Sequence, residues 1–180
     1  MSTLNTHAAQ KTILTTIHFV QTGGTLDKDY PRTTGSYGFE ISSPAFERIL
    51  GRLTDINFEY TTDHLLQKDS LDITDEDRNL ILNSCQKTDA TKIVITHGTD
   101  TMVQTAHLLS QIQGKTIVLV GSMIPEMLVD TDAHFNLGMA VGAVQILPAG
   151  IYITMNGQIF DWNNVIKDKD TARFVTNNEK

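Results

Sequence analysis

The chain of 180 residues has little cysteine and few basic residues. Cys85 is its only cysteine, which excludes an internal disulfide framework and a cysteine-rich zinc site and favours a cytoplasmic setting. Lysine and arginine number 14 against 21 aspartates and glutamates, and the formal net charge is -7. Because the chain lacks a basic field, we expect no binding to nucleic acid.

Long apolar runs are also missing from the sequence. No segment approaches the ~20 apolar residues that a membrane-spanning helix needs, and residues 1–11 lack the apolar stretch of a secretory signal. There is no internal repeat or low-complexity tract. We expect residues 1–12 to form a flexible arm, residues 13–176 to form one domain, and the chain not to bind a membrane.

Apolar runs rich in β-branched residues alternate with segments of helical periodicity. The runs that predict strands are residues 17–20, 93–96 and 116–120. The predicted helices begin near Ser43, Thr74, Asp100 and Asp132. Asn156-Gly157, between two further apolar runs, is typical of a tight hairpin turn. The pattern predicts an α/β fold, a mostly parallel Rossmann-like sheet flanked by helices, with a C-terminal β-hairpin.

Several finer expectations follow from the same pattern. Leu53 and Leu80 fall on the predicted buried faces of their helices, and Gly138 and Gly142 would allow close packing against a sheet or a partner helix. Residues 27–40 hold two glycines and a proline between a strand and a helix, which predicts an irregular lid.

Polar loops follow the three predicted strands. They read Thr-Gly-Gly-Thr at 22–25, His-Gly-Thr-Asp-Thr at 97–101 and Gly-Ser-Met at 121–123. Because the carboxyl ends of parallel strands share one edge of a sheet, we expect these loops to meet in one crevice. Hydroxyls, a carboxylate and backbone amides at one site would suit acyl transfer by a hydroxyl nucleophile.

Each loop also has an ordinary structural interpretation. The first can be a tight turn with helix caps, and Thr99 or Asp100 can cap a helix while His97 is buried with its hydrogen bonds satisfied. The Ser122 loop can be a plain connection, and Lys167 can be a solvated surface charge. The residues alone leave these alternatives open.

In chain order, the motifs resemble those of the bacterial-type L-asparaginases. The TGGT and HGTDT loops precede Gly-Ser-Met, an acid and Phe-Asn at 132–136, and a Val-x-Lys that ends at Lys167. The resemblance covers about residues 13–174, which correspond to the amino-terminal catalytic domain of that family. It implies an amidohydrolase that converts a small carboxamide, L-asparagine first, to carboxylate and ammonia through a threonyl acyl-enzyme, with no metal and no cofactor.

The resemblance also implies roles for individual residues. Thr25 is the implied nucleophile, and Tyr37 is its partner in proton transfer. Thr99, Asp100 and Lys167 form the implied second triad. The candidate substrate-binding residues are Gly24, Ser70, Leu71, Gly98 and Ser122.

The chain departs from the family pattern in three places. Leu71 stands where a polar residue is usual, Ile124 stands where many members have arginine, and the chain stops soon after Lys167, so that we expect no carboxy-terminal domain. These departures favour the competing hypothesis of a catalytically weak module that binds an amino acid or a partner protein. Apolar residues near the rim of the crevice also predict a homo-oligomer, most simply a dimer: Met123, Ile124, Met127, Leu128 and Val129.

Overall fold

The computed structural model describes residues 14–31 and 38–177. Its strands are β1 (Thr15–Gly23), β2 (Lys28–Asp29), β3 (Glu40–Ile41), β4 (Phe58–Lys68), β5 (Lys92–Thr96), β6 (Thr116–Val120), β7 (Gly150–Met155), β8 (Gln158–Asp161), β9 (Ile166–Lys167) and β10 (Phe174–Val175). Its helices are α1 (Ala45–Gly51), α2 (Asp75–Lys87), α3 (Met102–Leu109) and α4 (Ala133–Ile146). No helix of these two ranges is long and apolar enough to span a bilayer. The predicted arm and the predicted catalytic Tyr37 lie outside the described residues.

Six strands form the central sheet in the order β4-β1-β5-β6-β7-β8. The first five run parallel, and β8 returns antiparallel to β7. Asn156 and Gly157 make this turn with φ angles of 54° and 84°. Positive φ at both central residues is what a type I′ hairpin turn requires. The predicted mostly parallel sheet with a C-terminal hairpin is therefore confirmed.

Two apolar layers cover the two faces of the sheet. Helices α2 and α3 pack on the face that contains Val20, and α1 and α4 pack on the face that contains Phe19. Neighbouring residues of β1 thus belong to opposite layers, as the alternation of side chains along a strand requires. Because the central strands are buried on both faces, their sequences are continuous apolar runs.

The order of the strands reverses between β1 and β5. The chain passes from β1 through α1 to β4 at the sheet edge, and returns through α2 to β5 on the other side of β1. Open α/β sheets bind ligands at the carboxyl ends of the strands that flank such a reversal. The loops that carry Thr25 and Thr99 follow these two strands.

The segment predicted as a lid begins and ends in a short ribbon. β2 and β3 pair antiparallel, with Lys28 opposite Ile41 and Asp29 opposite Glu40. The Ser42 amide also donates to the Asp27 carbonyl (3.0 Å). The two ends of the segment are therefore held together next to the Thr25 turn.

Candidate active site

Three chain segments pack backbone to backbone at the carboxyl edge of the sheet. A Cβ atom on Gly24 would lie 2.4 Å from the Gly98 Cα, and one on Gly98 would lie 2.7 Å from the Ser70 Cβ. Gly24 also has a φ of 85°, which side chains of L-residues rarely allow. Both positions therefore require glycine, and the β1 loop, the β5 loop and the Ser70 turn lie in direct contact.

Lys167 reaches the β5 loop from a distant part of the chain. Its Nζ donates to Thr99 Oγ1 at 2.8 Å and to Asp100 Oδ1 at 2.5 Å. The lysine side chain is 18% exposed and the aspartate side chain 45%, while Thr99 is buried. An ammonium group donates hydrogen bonds and accepts none, so the Thr99 oxygen accepts here and its own hydrogen remains available. The structure thus brings Thr99, Asp100 and Lys167 into one hydrogen-bonded group.

A cleft of about 310 Å³ opens beside this group. It is lined by Asp100, Lys167, Asp168, Lys169 and Ala172. Asp100 and Lys167 are therefore accessible to a small molecule, whereas the Thr99 side chain lies behind them.

His97 supports the β5 loop from inside the protein. Its Nδ1 lies 2.7 Å from the Gly98 carbonyl oxygen, and its Nε2 lies 2.9 Å from Thr105 Oγ1. Because a carbonyl oxygen only accepts, Nδ1 carries the hydrogen and Nε2 accepts from the threonine. Complete burial lowers the pKa of this histidine to about 4. His97 is therefore a neutral, fully bonded side chain, in agreement with its ordinary structural interpretation.

Ser70 and Leu71 are neighbours with opposite exposure. Ser70 is fully buried, and its Oγ accepts from the Asp100 amide at 3.2 Å. Its carbonyl oxygen accepts from Thr101 Oγ1 at 2.7 Å. Leu71 is 73% exposed and points away from this network. The Ser70 turn therefore fixes the position of the β5 loop, and Leu71 is not brought into contact with the other candidates.

Thr25 begins a single 3-10 turn, Thr25–Asp27, directly after β1. It is half-buried, and within ranges 14–31 and 38–177 its hydroxyl has no hydrogen-bond partner. The Gly24 amide donates to the Lys68 carbonyl oxygen at 2.9 Å. That amide is consequently engaged, and it cannot serve as a free donor to an oxyanion in this conformation.

Buried Asp27 anchors the Thr25 turn, although no local pattern in the sequence marks this residue. Its carboxylate accepts from Gln21 Nε2 (2.9 Å) and from the Ala45 amide at the start of α1 (2.7 Å). Burial raises the pKa of this carboxyl to about 6. The Thr25 turn is therefore tied to both β1 and α1.

Lys28 forms a second link that sequence reasoning missed. Its Nζ donates to Asp69 Oδ2 at 2.9 Å. The Lys28 ammonium holds the pKa of the Asp69 carboxyl below its usual value. The pair connects the segment after Thr25 with the turn that contains Ser70. No sequence motif marks the pair, because the contact depends on how the β2–β3 ribbon lies against β4.

Two side chains position the Ser122 loop: Asp132, the residue before α4, and Asn136 in the first turns of α4. Asp132 Oδ1 accepts from the Met123 and Ile124 amides, both at 3.0 Å, and Asn136 Nδ2 donates to the Gly121 carbonyl oxygen at 3.1 Å. Ser122 is buried, and its hydroxyl donates to the Ile124 carbonyl oxygen at 2.7 Å. The Ser122 hydroxyl therefore bonds within its own loop.

Known proteins are similar to this chain in sequence and in fold. Residues 16–177 match the family described as asparaginase, N-terminal. The chain is 31% identical to the glutaminase-asparaginase of Acinetobacter glutaminasificans over 159 residues. This match covers 82% of this chain and 48% of the Acinetobacter protein.

Two solved structures are similar over most of the chain. The thermostable L-asparaginase from Thermococcus kodakarensis has 27% identity and a TM-score of 0.78, covering 89% of this chain and 51% of that one. The probable cytoplasmic L-asparaginase from Campylobacter jejuni has 26% identity and a TM-score of 0.76, covering 90% and 53%. The chain thus spans about half the length of these relatives. It belongs to the asparaginase family, whose N-terminal domain it matches.

Proposed function

We propose that the chain hydrolyses a small carboxamide, with L-asparagine as the first candidate, to a carboxylate and ammonia. The observation that carries the proposal is the bonded group of Lys167, Thr99 and Asp100 beside an open cleft. A purely structural ion pair has no need of a buried threonine hydroxyl as a third member. The family relationship supports the same chemistry.

In the proposed reaction Thr25 is the nucleophile. Its Oγ attacks the carbonyl carbon of the amide, the carbon–nitrogen bond breaks, and the hydroxyl proton leaves with the nitrogen as ammonia. Water then attacks the threonyl ester, which releases the carboxylate and restores the Thr25 hydroxyl. Tyr37 is proposed to relay the first proton, in keeping with the family resemblance.

The Thr99 group acts on the same amide in this proposal. Lys167 donates to Thr99 Oγ1 at 2.8 Å and so lowers the cost of removing the Thr99 proton, while Asp100 holds the lysine at 2.5 Å. Thr99 then polarises the amide that Thr25 attacks. Because the Gly24 amide is already bonded to Lys68, we assign oxyanion stabilisation to the backbone amide of Thr99.

Asp100 is proposed to bind the α-ammonium group of the substrate. Its carboxylate is half-exposed in the cleft and can accept from a second cation besides Lys167. Ser70, Gly98 and Gly24 hold the β5 loop in place, and buried Ser70 does so by accepting from the Asp100 amide. Leu71 supplies no polar contact, so we expect weak discrimination against amides that lack the α-amino group.

The direct test is ammonia release from L-asparagine by the purified chain and by Thr25→Ala and Thr99→Val. Each substitution should lower turnover by about 10³-fold, and the double variant should be little worse, because the groups act as one unit. Circular dichroism establishes that each variant is folded. Wild-type turnover by a folded Thr25→Ala protein would contradict the proposed nucleophile.

The competing candidate is a module that binds an amino acid without turning it over. Leu71 favours it, because it is exposed, does not line the cleft and supplies no polar contact there. Calorimetric titration with L-aspartate separates the candidates when it is combined with the ammonia assay. Binding without ammonia release from asparagine would support the module.

A further inference from the structure

A groove of about 420 Å³ lies between α1 and α4. Most of its wall consists of six apolar side chains: Ile49, Leu50, Leu53, Phe58, Leu137 and Val141. Leu137 is buried, whereas Leu53 is 54% exposed. Volumes of about 300–1,000 Å³ are typical of sites for small molecules. The groove shares no lining residue with the cleft beside Lys167, so it is a separate feature of the surface.

Gly138 contributes open space to this groove. A Cβ atom on Gly138 would meet no described atom within 4 Å, and the same holds for Gly142, one helical turn later. Neither glycine therefore packs closely against the sheet. Gly138 lines the groove, whereas Gly142 is not among the residues that line it. A side chain at residue 138 would consequently project into the groove, and one at residue 142 would not.

Two basic side chains also line the groove. Arg52 directly follows α1 and its side chain is 60% exposed. His134 lies in the first turn of α4 and its side chain is 47% exposed. Arg52 Nη1 donates to Glu126 Oε1 at 2.7 Å, and a guanidinium group has four further N–H donors. The groove thus combines an apolar wall with exposed donor groups.

The charge around the groove is positive. The Glu126 carboxylate is fully buried, and its other oxygen, Oε2, accepts from Arg48 Nε at 2.7 Å. Two guanidinium groups therefore share one carboxylate, which leaves one positive charge in excess even if His134 is neutral. None of the 14 residues of α4 is acidic, and the one acid of α1, Glu47, is bonded to His64 at 2.8 Å. The groove is thus suited to an anion, although the whole chain has a formal net charge of -7.

A carboxylate with an aliphatic tail matches both parts of the groove. Its tail would remove the apolar wall from water, which stabilises a complex in proportion to the area buried. Its head would accept charge-assisted hydrogen bonds from a guanidinium group, often two at once. We propose that the groove binds a free medium-chain aliphatic carboxylate, with the tail between α1 and α4 and the carboxylate on Arg52. This site does not depend on the hydrolysis proposed above.

Calorimetric titration of the purified chain with sodium octanoate tests the proposal. We expect one saturable site per chain. From hexanoate to octanoate the affinity should rise about fourfold for each added CH₂ group, because each one is buried against the wall. Octylammonium has the same tail and the opposite charge, and it should bind at least about tenfold more weakly than octanoate.

Two glycine variants test the location of the tail. Gly138→Leu should weaken octanoate binding at least about tenfold, because the new side chain occupies the space of several CH₂ groups. Gly142→Leu is the matched control, since it makes the same substitution in the same helix and gains the same helix propensity. Its affinity for octanoate should equal that of the wild type.

Two variants of basic residues test the location of the carboxylate. Arg52→Gln should weaken octanoate binding at least about tenfold and should not weaken the binding of octylammonium. Lys167→Met removes a positive charge from the other cleft and should leave octanoate binding unchanged. Because Arg52 also bonds to buried Glu126, the glycine pair provides the test if Arg52→Gln does not fold.

Four results would overturn the proposal. The first is the absence of saturable octanoate binding, and the second is equal affinity for octylammonium. The third is a loss of affinity in Lys167→Met, which would place the carboxylate in the cleft. The fourth is a Gly138→Leu protein that binds octanoate normally but sediments differently from Gly142→Leu, which would assign the groove to contact between protein chains.

Discussion

Lys167 and Lys169 are near neighbours in sequence with different surroundings. Lys167 bonds to Thr99 and Asp100, whereas Lys169 is exposed and lines the same cleft. If Lys167 serves proton transfer, Lys167→Met should lower kcat at least about 100-fold with little change in KM. The measurement is a steady-state ammonia assay over a range of asparagine concentrations.

Lys169→Met is the matched control for this prediction, since it removes the same charge from the same cleft. Its kcat should stay within about twofold of wild type. A comparable loss of kcat in the two variants would contradict proton transfer by Lys167 and would show that it contributes only its positive charge to the cleft.

The Lys28–Asp69 pair is predicted to position the Ser70 turn without taking part in the reaction. Both side chains are about a third exposed, and such a pair contributes about 1 kcal/mol or less to stability. Lys28→Met should therefore hardly change the free energy of unfolding. It should nevertheless raise KM severalfold, because the Ser70 turn loses its link to the segment after Thr25. Restoration of KM by Lys28→Arg would support a positioning role, and a fall in kcat alone would contradict it.

At the scale of elements, Asp27 couples the first turn of the site to α1 and makes folding sensitive to pH. Its carboxyl has a pKa of about 6 in the folded state against 3.8 ordinarily, because it is buried. Between these values the folded chain retains a proton that the unfolded chain has released. The free energy of unfolding should thus fall as pH rises from 3.8 to about 6, by about 3 kcal/mol, and then level off.

Asp27→Asn should remove most of this pH dependence. The amide oxygen can still accept from the Ala45 amide, and the new NH₂ group can donate to Gln21 Oε1, which has no partner in the described part of the chain. Urea titrations at about pH 4 and about pH 7 measure the effect. Asp130→Asn, at an exposed acid, is the control and should keep the wild-type slope.

Elements with strong local signals could be predicted from the sequence. The central strands follow from apolar runs buried on both faces, and α2 begins at the predicted position because Thr74 and Asp77 form a capping box. The prediction that Leu80 and Leu53 are buried is wrong, because both side chains are about half exposed. Asp77 is bonded to Thr74 and Lys68, and the inner face of α2 includes Leu82 in place of Leu80. Leu53 lies beyond the end of α1, where helical periodicity no longer applies.

The site was predictable only in part, for a similar reason. Motif spacing indicated Thr99, Asp100 and Lys167, and the fold brings these three together. Lys28 and Asp27 act through contacts with β4 and α1, and residues so far apart in sequence leave no periodic or motif signal. α3 begins at Met102, two residues after the predicted start at Asp100. The residues up to Thr101 are not helical, because the Thr101 hydroxyl donates to the Ser70 carbonyl oxygen and the loop packs on the Ser70 turn.

For the whole molecule, the single tryptophan reports on the last part of the sheet. Trp162 follows β8, and its ring lies 5.2 Å from that of His107 on α3. In refolding from urea, we expect the Trp162 fluorescence change and the return of ammonia release to share one rate constant. Far-UV circular dichroism should recover at least as early, because the helices form from local contacts. Activity that returns before the fluorescence change would contradict this order.

The late position of Lys167 also matters during synthesis. A chain made from its amino terminus presents both threonines and the strands from β1 to β8 before Lys167, on β9, emerges. A product that terminates inside the hairpin would keep the crevice and lose the amine that bonds to Thr99. The proposed hydrolysis would therefore begin only after residue 167 has been translated, so that the order of the strands along the chain sets the time at which the candidate site is complete.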